Sequence, residues 1–374
     1  MKFNNKLLSI VIPTRNREFY CIETIKNIIS YDFPYFELVI NDNSDSKKIQ
    51  EFLKDLNDSR INYNYIPDRI SSSKNMDIAL AMATGEYVIM IGDDDTILPN
   101  IFNVVLWAKN NSIDNITPIT QVKYTWPNPY TCKNGYVSWN NVVKGYKTID
   151  AKRQLSFLLK NGVINYSSFH LPKVYHGIIK RDILILIKQT LGSYICGLSP
   201  DICLAVSSAL YCEKCVLWGE PFTIAGACPK SSTSESQQGG HRGDLKDAPH
   251  LWGMQDYEWD LLIPPVYSVE TIWAESAVKT LKMCQYNVDG LLNQGALIAG
   301  IIGNNITIYK LILRSLNKVK YTQHKVIVFN ECILFGVKKL IERLCRKIKS
   351  DKSTHYFDVS DIDTAVRIYN QSIK

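Results

Sequence analysis

Along the first hundred residues, short apolar runs alternate with segments whose apolar positions recur every three or four residues. Residues 7–13 form an apolar run closed by Pro13, the pattern of a buried strand. Over 17–30, Ile22, Ile25, Ile28 and Ile29 fall at helical spacing. Strand-like runs follow at 36–40, 61–66 and 86–91, and helical spacing at 47–56 and 73–83. Strands alternating with helices predict an α/β fold, a Rossmann-like, mostly parallel sheet with helices on both faces.

Polar residues gather where these strands end. Thr14-Arg15-Asn16-Arg17 follows the first, Asn41-Asp42-Asn43-Ser44 the second, Asp68 the third and Asp93-Asp94-Asp95 the last. All would lie on the carboxyl edge of the sheet, where open α/β sheets bind ligands. Three adjacent carboxylates repel one another unless a cation compensates them, and hard oxygen ligands select Mg²⁺ or Mn²⁺. Such an ion leaves positions for diphosphate oxygens and acts as a Lewis acid. The competing reading is a solvated acidic turn ahead of a helix near Pro99. Arg15 and Arg17 at a helix start oppose the helix dipole, which favours a ligand role. Asp42 could instead cap the helix near Lys47.

The middle of the chain is mixed. Residues 173–180 read as a strand, 182–189 as a helix and 216–225 as a further strand. Ser199-Pro200 opens a helix, with serine as N-cap and proline at the first helical position. Residues 228–250 are rich in Ser, Gly and Gln and read as a mobile loop. Lys230, His241 and Arg242 are its candidate lid contacts. From 255 onward the pattern is mostly helical. The expected units are 1–250, divided at 112, and a helical region over 251–374.

Charge changes the picture at the C-terminal end. The net charge is +7, yet residues 310–349 hold eleven Lys/Arg against two Glu, which leaves −2 for the rest. Val337, Ile341, Leu344 and Ile348 recur at helical spacing among Lys338, Lys339, Arg343, Arg346, Lys347 and Lys349. That pattern predicts a peripheral contact of 333–349 with an anionic membrane surface. A helix packed on the domain with a solvated basic face fits it equally. No run of eighteen apolar residues and no secretory leader is visible, so the expected location is cytoplasmic. Ten cysteines then read as free thiols. Cys212 and Cys215 have zinc-like spacing without a second ligand pair. His176 reads as structural.

Several of these motifs together resemble family 2 glycosyltransferases. Residues 9–17 (Ser-Ile-Val-Ile-Pro-Thr-Arg-Asn-Arg) resemble the family's opening, and 37–44 its second strand and turn. Lys74-Asn75, the stretch 83–88, and Gly92-Asp93-Asp94-Asp95 with Pro99 match the rest in order and spacing. The resemblance is specific over 7–110 and looser to about 250. It implies a GT-A fold, a nucleoside-diphosphate sugar donor, a saccharide or lipid-linked glycan acceptor, and inversion at the anomeric carbon. Its setting would be assembly of bacterial surface polysaccharide. Residues 1–112 would be the nucleotide-sugar half and 113–250 the acceptor half. Pro13, Thr14, Arg15, Arg17, Asp42, Lys74, Asn75, Asp93 and Asp94 take donor-binding roles, and Asp93 and Asp95 metal-binding ones. Asp201 resembles the family's catalytic base, although Pro200 precedes it where the family often has Glu.

Other classes fit less well. The turn after the first strand has no glycine fingerprint and no Walker sequence occurs, which disfavours dinucleotide-dependent and P-loop chemistry. A nucleotidyltransferase could use similar aspartates, and a non-catalytic glycan-binding or scaffold protein could retain the domain. No nucleic-acid module accompanies the basic end, so no nucleic-acid partner is expected.

Overall fold

The structure is a computed structural model that describes residues 6–128, 132–231, 242–252, 254, 256–348 and 353–373, with 343–348 described at the backbone only. Strands β1 (Leu8–Thr14), β2 (Phe36–Asp42), β3 (Ile61–Tyr65) and β4 (Tyr87–Met90) lie in the order β3-β2-β1-β4, all parallel. Helices α1 (Glu18–Ile29), α2 (Lys48–Leu56) and α3 (Ser72–Ala81) connect them, as the spacing predicts. Alternation splits the apolar residues of β1 between two cores. Leu8, Ile10 and Ile12 pack with α1 and α2, while Val11 faces the layer containing α3. Both faces are covered, so the strands read as continuous apolar runs.

The chain continues through β5 (Thr96–Ile97), α4 (Ile101–Asn110), β6 (Asn115–Pro118), β7 (Val122–Thr125), β8 (Tyr136–Trp139), β9 (Tyr146–Ile149) and α5 (Ala151–Lys160). It then forms β10 (Ile178–Lys180), α6 (Arg181–Leu191), α7 (Pro200–Tyr211), β11 (Cys215–Trp218) and β12 (Thr223–Ala227). The main sheet has eight strands, β3-β2-β1-β4-β10-β6-β11-β9, with β10 antiparallel to both neighbours. The strand expected over 173–180 is confined to its last three residues. The chain turns at His176, whose φ is +58°, and only then joins the sheet. The strand expected over 216–225 is two strands in different sheets, broken at Gly219-Glu220-Pro221.

A second sheet, β5, β7, β8 and β12 with a later strand β15 (Thr354–Phe357), runs in the order β15-β8-β7-β12-β5. Between β12 and β15 come the short antiparallel pair β13 (Arg242–Asp244) and β14 (Val266–Ser268) and the helices Val269–Met283, Gln294–Asn304, Tyr309–Leu316 and Lys325–Ile348. The C-terminal region is helical as expected, but the chain does not end there. β15 pairs with β8, and the helix Ile362–Ser372 packs Ile362, Ala365, Val366 and Tyr369 against Val122, Tyr124, Trp126 and Ile224 of the second sheet. Nor does residue 250 mark a break in the core, because Ile202 and Val206 of α7 pack with Ala274, Val278 and Leu281.

This return predicts that the last residues stabilise the sheet beside the carboxyl edge. Tyr369 is 1% exposed and sets its ring edge-on to Trp139 at 5.2 Å. Tyr369→Ala should cost about 3 kcal/mol in denaturant unfolding. An unchanged unfolding midpoint would show that the fold-back adds nothing.

Candidate active site

The carboxyl ends of β1 and β4 bring Thr14, Arg17 and the acidic triplet together. Asp93, Asp94 and Asp95 are all buried, at 0%, 3% and 1% exposure. Burying an uncompensated carboxylate is prohibitive, so each must be met by donors or a cation. Asp95 is met by neutral donors and a histidine. Its Oδ2 accepts the Gly92 N–H at 2.6 Å and the Tyr175 hydroxyl at 2.8 Å, and lies 3.1 Å from His176 Nε2. Its Oδ1 accepts the Gly226 N–H at 2.7 Å. His176 is held from its other side, with Nδ1 3.0 Å from the Thr223 hydroxyl.

Asp93 and Asp94 are met differently. Thr14 donates to Asp93 Oδ2 at 2.6 Å, and Arg17 spans the same carboxylate with Nε at 3.1 Å from Oδ2 and Nη2 at 2.8 Å from Oδ1. Arg17 Nη1 stands 3.4 Å from Asp94 Oδ1, and the Cys228 N–H donates to Asp94 Oδ2 at 2.9 Å. The turn itself is bolted to its surroundings through the backbone. Trp126 Nε1 donates to the Asp94 carbonyl, and the Thr24 hydroxyl to those of Asp93 and Asp95. Gly226 allows this approach, since a Cβ there would collide with the Asp94 carbonyl oxygen.

Burial raises the pKa of Asp93 against the opposing charge of Arg17, and burial and Asp95 together raise that of Asp94. Burial works the same way on Asp95 but is outweighed by His176, with Gly92 and Tyr175 adding, so its pKa falls below the usual value. Burial alone would lower the Arg17 pKa; Asp93 and Asp94 outweigh it and raise it.

The fit to a cation follows from this donor set. Asp93 Oδ1 is buried, accepts no hydrogen bond, and faces a positive group as a bare ion pair. Asp93 and Asp94 therefore present hard oxygens to a cation. Asp95, expected as a metal ligand, has both oxygens taken and reaches a cation only by exchanging a donor. Among the described residues no three His, Cys, Asp or Glu side chains converge on one point, at the triplet or at Cys212 and Cys215.

Other expected residues line the same edge. Pro13 is buried opposite Asn41 in the β1–β2 register. Asp42 is buried, with Oδ1 accepting the Ser44 N–H and Oδ2 the Tyr63 hydroxyl. Asn75 donates to the Thr14 carbonyl and accepts from Asn41, fixing the floor of the turn. Arg15 points away from the triplet, to Asn43 at 2.9 Å and Asp45 at 3.1 Å. Lys74 opens on a groove lined also by Ser71, Asp77, Cys196, Gly197 and Tyr257. Asp201 lies in the first turn of α7, with no side-chain cap from Ser199. Asp201 is exposed while Ile202, Cys203 and Leu204 after it are buried. Desolvation raises its pKa; His176 and Lys173 oppose this and Asp95 adds to it. Lys230 and Arg242 are exposed and not bonded to the site carboxylates among the described residues, and His241 lies outside them.

Sequence reasoning missed Tyr175, Thr223, Gly226, Cys228 and Trp126. They come from the second sheet and the turn before β10, and no local pattern links them to the triplet. His176, read as structural, is structural at the site itself.

Residues 9–160 match the model of glycosyl transferase family 2. The chain is similar to "Putative colanic acid biosynthesis glycosyl transferase WcaA" of Escherichia coli (strain K12), 32% identical over 35% of this chain and 45% of that protein. It is also similar to "GalNAc(5)-diNAcBac-PP-undecaprenol beta-1,3-glucosyltransferase" of Campylobacter jejuni, 28% identical over 29% of this chain and 36% of that protein. The matches thus span less than half the length of either relative. Among solved structures, residues 1–349 of S. aureus TarS in complex with UDP-GlcNAc superpose with a TM-score of 0.49 at 15% identity, covering 95% of this chain and 98% of that one.

The donors around Asp95 generate a test. Asp95→Asn puts an amide where up to three donors meet, so thermal unfolding should show a loss of about 2–3 kcal/mol. A melting temperature equal to that of the parent would return Asp95 to a purely ligand-binding role.

Proposed function

We propose, from the match of residues 9–160 to the model of glycosyl transferase family 2, that the protein transfers a sugar from a nucleoside-diphosphate donor to a saccharide or lipid-linked glycan acceptor, with inversion. The observation that carries the reading is the convergence of Thr14, Arg17, Asp93 and Asp94 on one edge, with the carboxylate of Asp201 near enough to feel the charge of Asp95. Thr14, Asp42 and Asn75 shape the nucleoside side. Arg17 and Lys74 supply positive charge for the diphosphate, and Arg15, turned to Asn43 and Asp45, stays on the nucleoside side. Mg²⁺ or Mn²⁺, held by Asp93 and Asp94 with Asp95 behind them, would supply Lewis-acid stabilisation of the departing diphosphate.

Asp201 takes the proton from the acceptor hydroxyl as its oxygen attacks the anomeric carbon from the face opposite the leaving group. The first turn of α7 favours the ionised carboxylate, and Lys173 and His176 assist it electrostatically. The base works only when ionised. Desolvation of Asp201 therefore places the acid limb of the kcat profile above the ordinary carboxylate range.

Assembly of surface polysaccharide on the cytoplasmic membrane face is the setting this reading proposes. No single helix among the described residues is long and apolar enough to cross a membrane. The helix Lys325–Ile348 instead exposes Val326, Ile327, Phe329, Ile333, Leu334, Val337, Leu340 and Ile341, a stripe wider than the one expected over 333–349. Lys338 is exposed beside it, whereas Lys339 turns inward to Asn304 at 3.1 Å. The side chains of Leu344 and Ile348 and of the basic residues beyond 342 lie outside the described residues. Apolar side chains with flanking lysines suit the interface of an anionic bilayer.

Two outcomes test these proposals. Asp201→Asn should lower turnover by roughly a hundredfold or more and abolish the acid limb, with donor affinity and melting temperature kept. Full turnover would place the base elsewhere. In flotation assays the protein should bind anionic vesicles in preference to neutral ones, and Leu334→Asp with Leu340→Asp should release it. Equal binding to both vesicle types, or none, would remove the membrane contact.

A further inference from the structure

The counter-charge for Asp93 and Asp94 comes from the chain's own Arg17, and it stands where a metal ion would have to bind. Its guanidinium grips Asp93 through Nε at 3.1 Å and Nη2 at 2.8 Å and reaches Asp94 through Nη1 at 3.4 Å. Asp93 Oδ1, fully buried and accepting no hydrogen bond, is aimed at this group. The third carboxylate offers no alternative, since both Asp95 oxygens are occupied.

Mg²⁺ coordinates carboxylate oxygens at about 2.0–2.1 Å, which would set it in contact range of the guanidinium. Two positive groups cannot share these oxygens at that range in a partly buried site. Beyond the two aspartates, the guanidinium has one further side-chain partner, with Nη1 3.7 Å from Cys228 Sγ. Arg17 lies between the end of β1 and α1, its side chain is 23% exposed, and it caps the helix with no side-chain bond. Asn16 before it already sits in the left-handed region at φ +56°.

We propose that Arg17 is a displaceable counter-ion, mutually exclusive with the metal on Asp93 and Asp94, which leaves the aspartates for the donor diphosphate when metal and donor enter together. The proposal rests on the donor-and-metal reading above and assigns Arg17 a positioning role within it. Without nucleotide the guanidinium satisfies the aspartates and keeps metal affinity low. With a diphosphate present it gains a second anionic partner, so metal and nucleotide each strengthen the other's binding by the same factor.

The test is Mn²⁺ binding to the nucleotide-free protein, followed by the loss of the free-ion electron paramagnetic resonance signal. Arg17→Gln should bind Mn²⁺ about tenfold more tightly than the parent, and adding uridine or guanosine diphosphate should improve its Mn²⁺ affinity less than it improves the parent's. Arg17→Lys, which keeps the charge but loses the fork, should fall between them and guards against a folding defect in the first variant. Equal or weaker Mn²⁺ binding by a folded Arg17→Gln overturns the exclusion while leaving the metal reading intact. Absence of Mn²⁺ binding in every protein, with and without nucleotide, overturns the metal reading and the exclusion together.

Discussion

Three consecutive carboxylates buried at the end of one strand are the constraint on which the rest of this structure depends. Each needs compensation, and neighbours in sequence point in different directions, so one partner cannot serve all three. Asp95 is turned toward backbone N–H groups, a tyrosine and a histidine; Asp93 and Asp94 toward a guanidinium. The first is neutralised by the fold and becomes a fixed post. The other two keep oxygens directed at a positive group that comes from a different strand end.

That division explains why a second sheet lies beside the first. Its strand β12 brings Gly226 to Asp95, the residue after it brings Cys228 to Asp94, and the chain after β7 brings Trp126 to the Asp94 carbonyl. The sheet is in turn backed by the end of the chain, where Tyr124 donates to the Val359 carbonyl and Asn27 to Asp363. Asn27 also accepts from Thr96, next to the triplet. Residues more than two hundred positions apart thus hold one turn, and substitutions far from the cleft can reach it through packing alone.

By itself the sequence determined the parallel β1–β4 unit, its helices and the placement of Thr14, Asp42, Asn75 and Asp93–Asp95 on one edge. Those signals are local: apolar period, strand-end polar turns and the order of short motifs need no distant contact to be read. Tertiary structure alone decided which aspartate is held by backbone, tyrosine and histidine donors and which face the guanidinium, because the deciding partners, Tyr175, His176, Gly226 and Cys228, arrive from separate segments. It also decided that the stretch over 216–225 serves two sheets, since a short apolar run carries no mark of which sheet each half joins. The return of residues 354–372 was equally hidden. A four-residue edge strand and an amphipathic helix gain their stability from the surface they cover, and that surface exists only once the second sheet has formed.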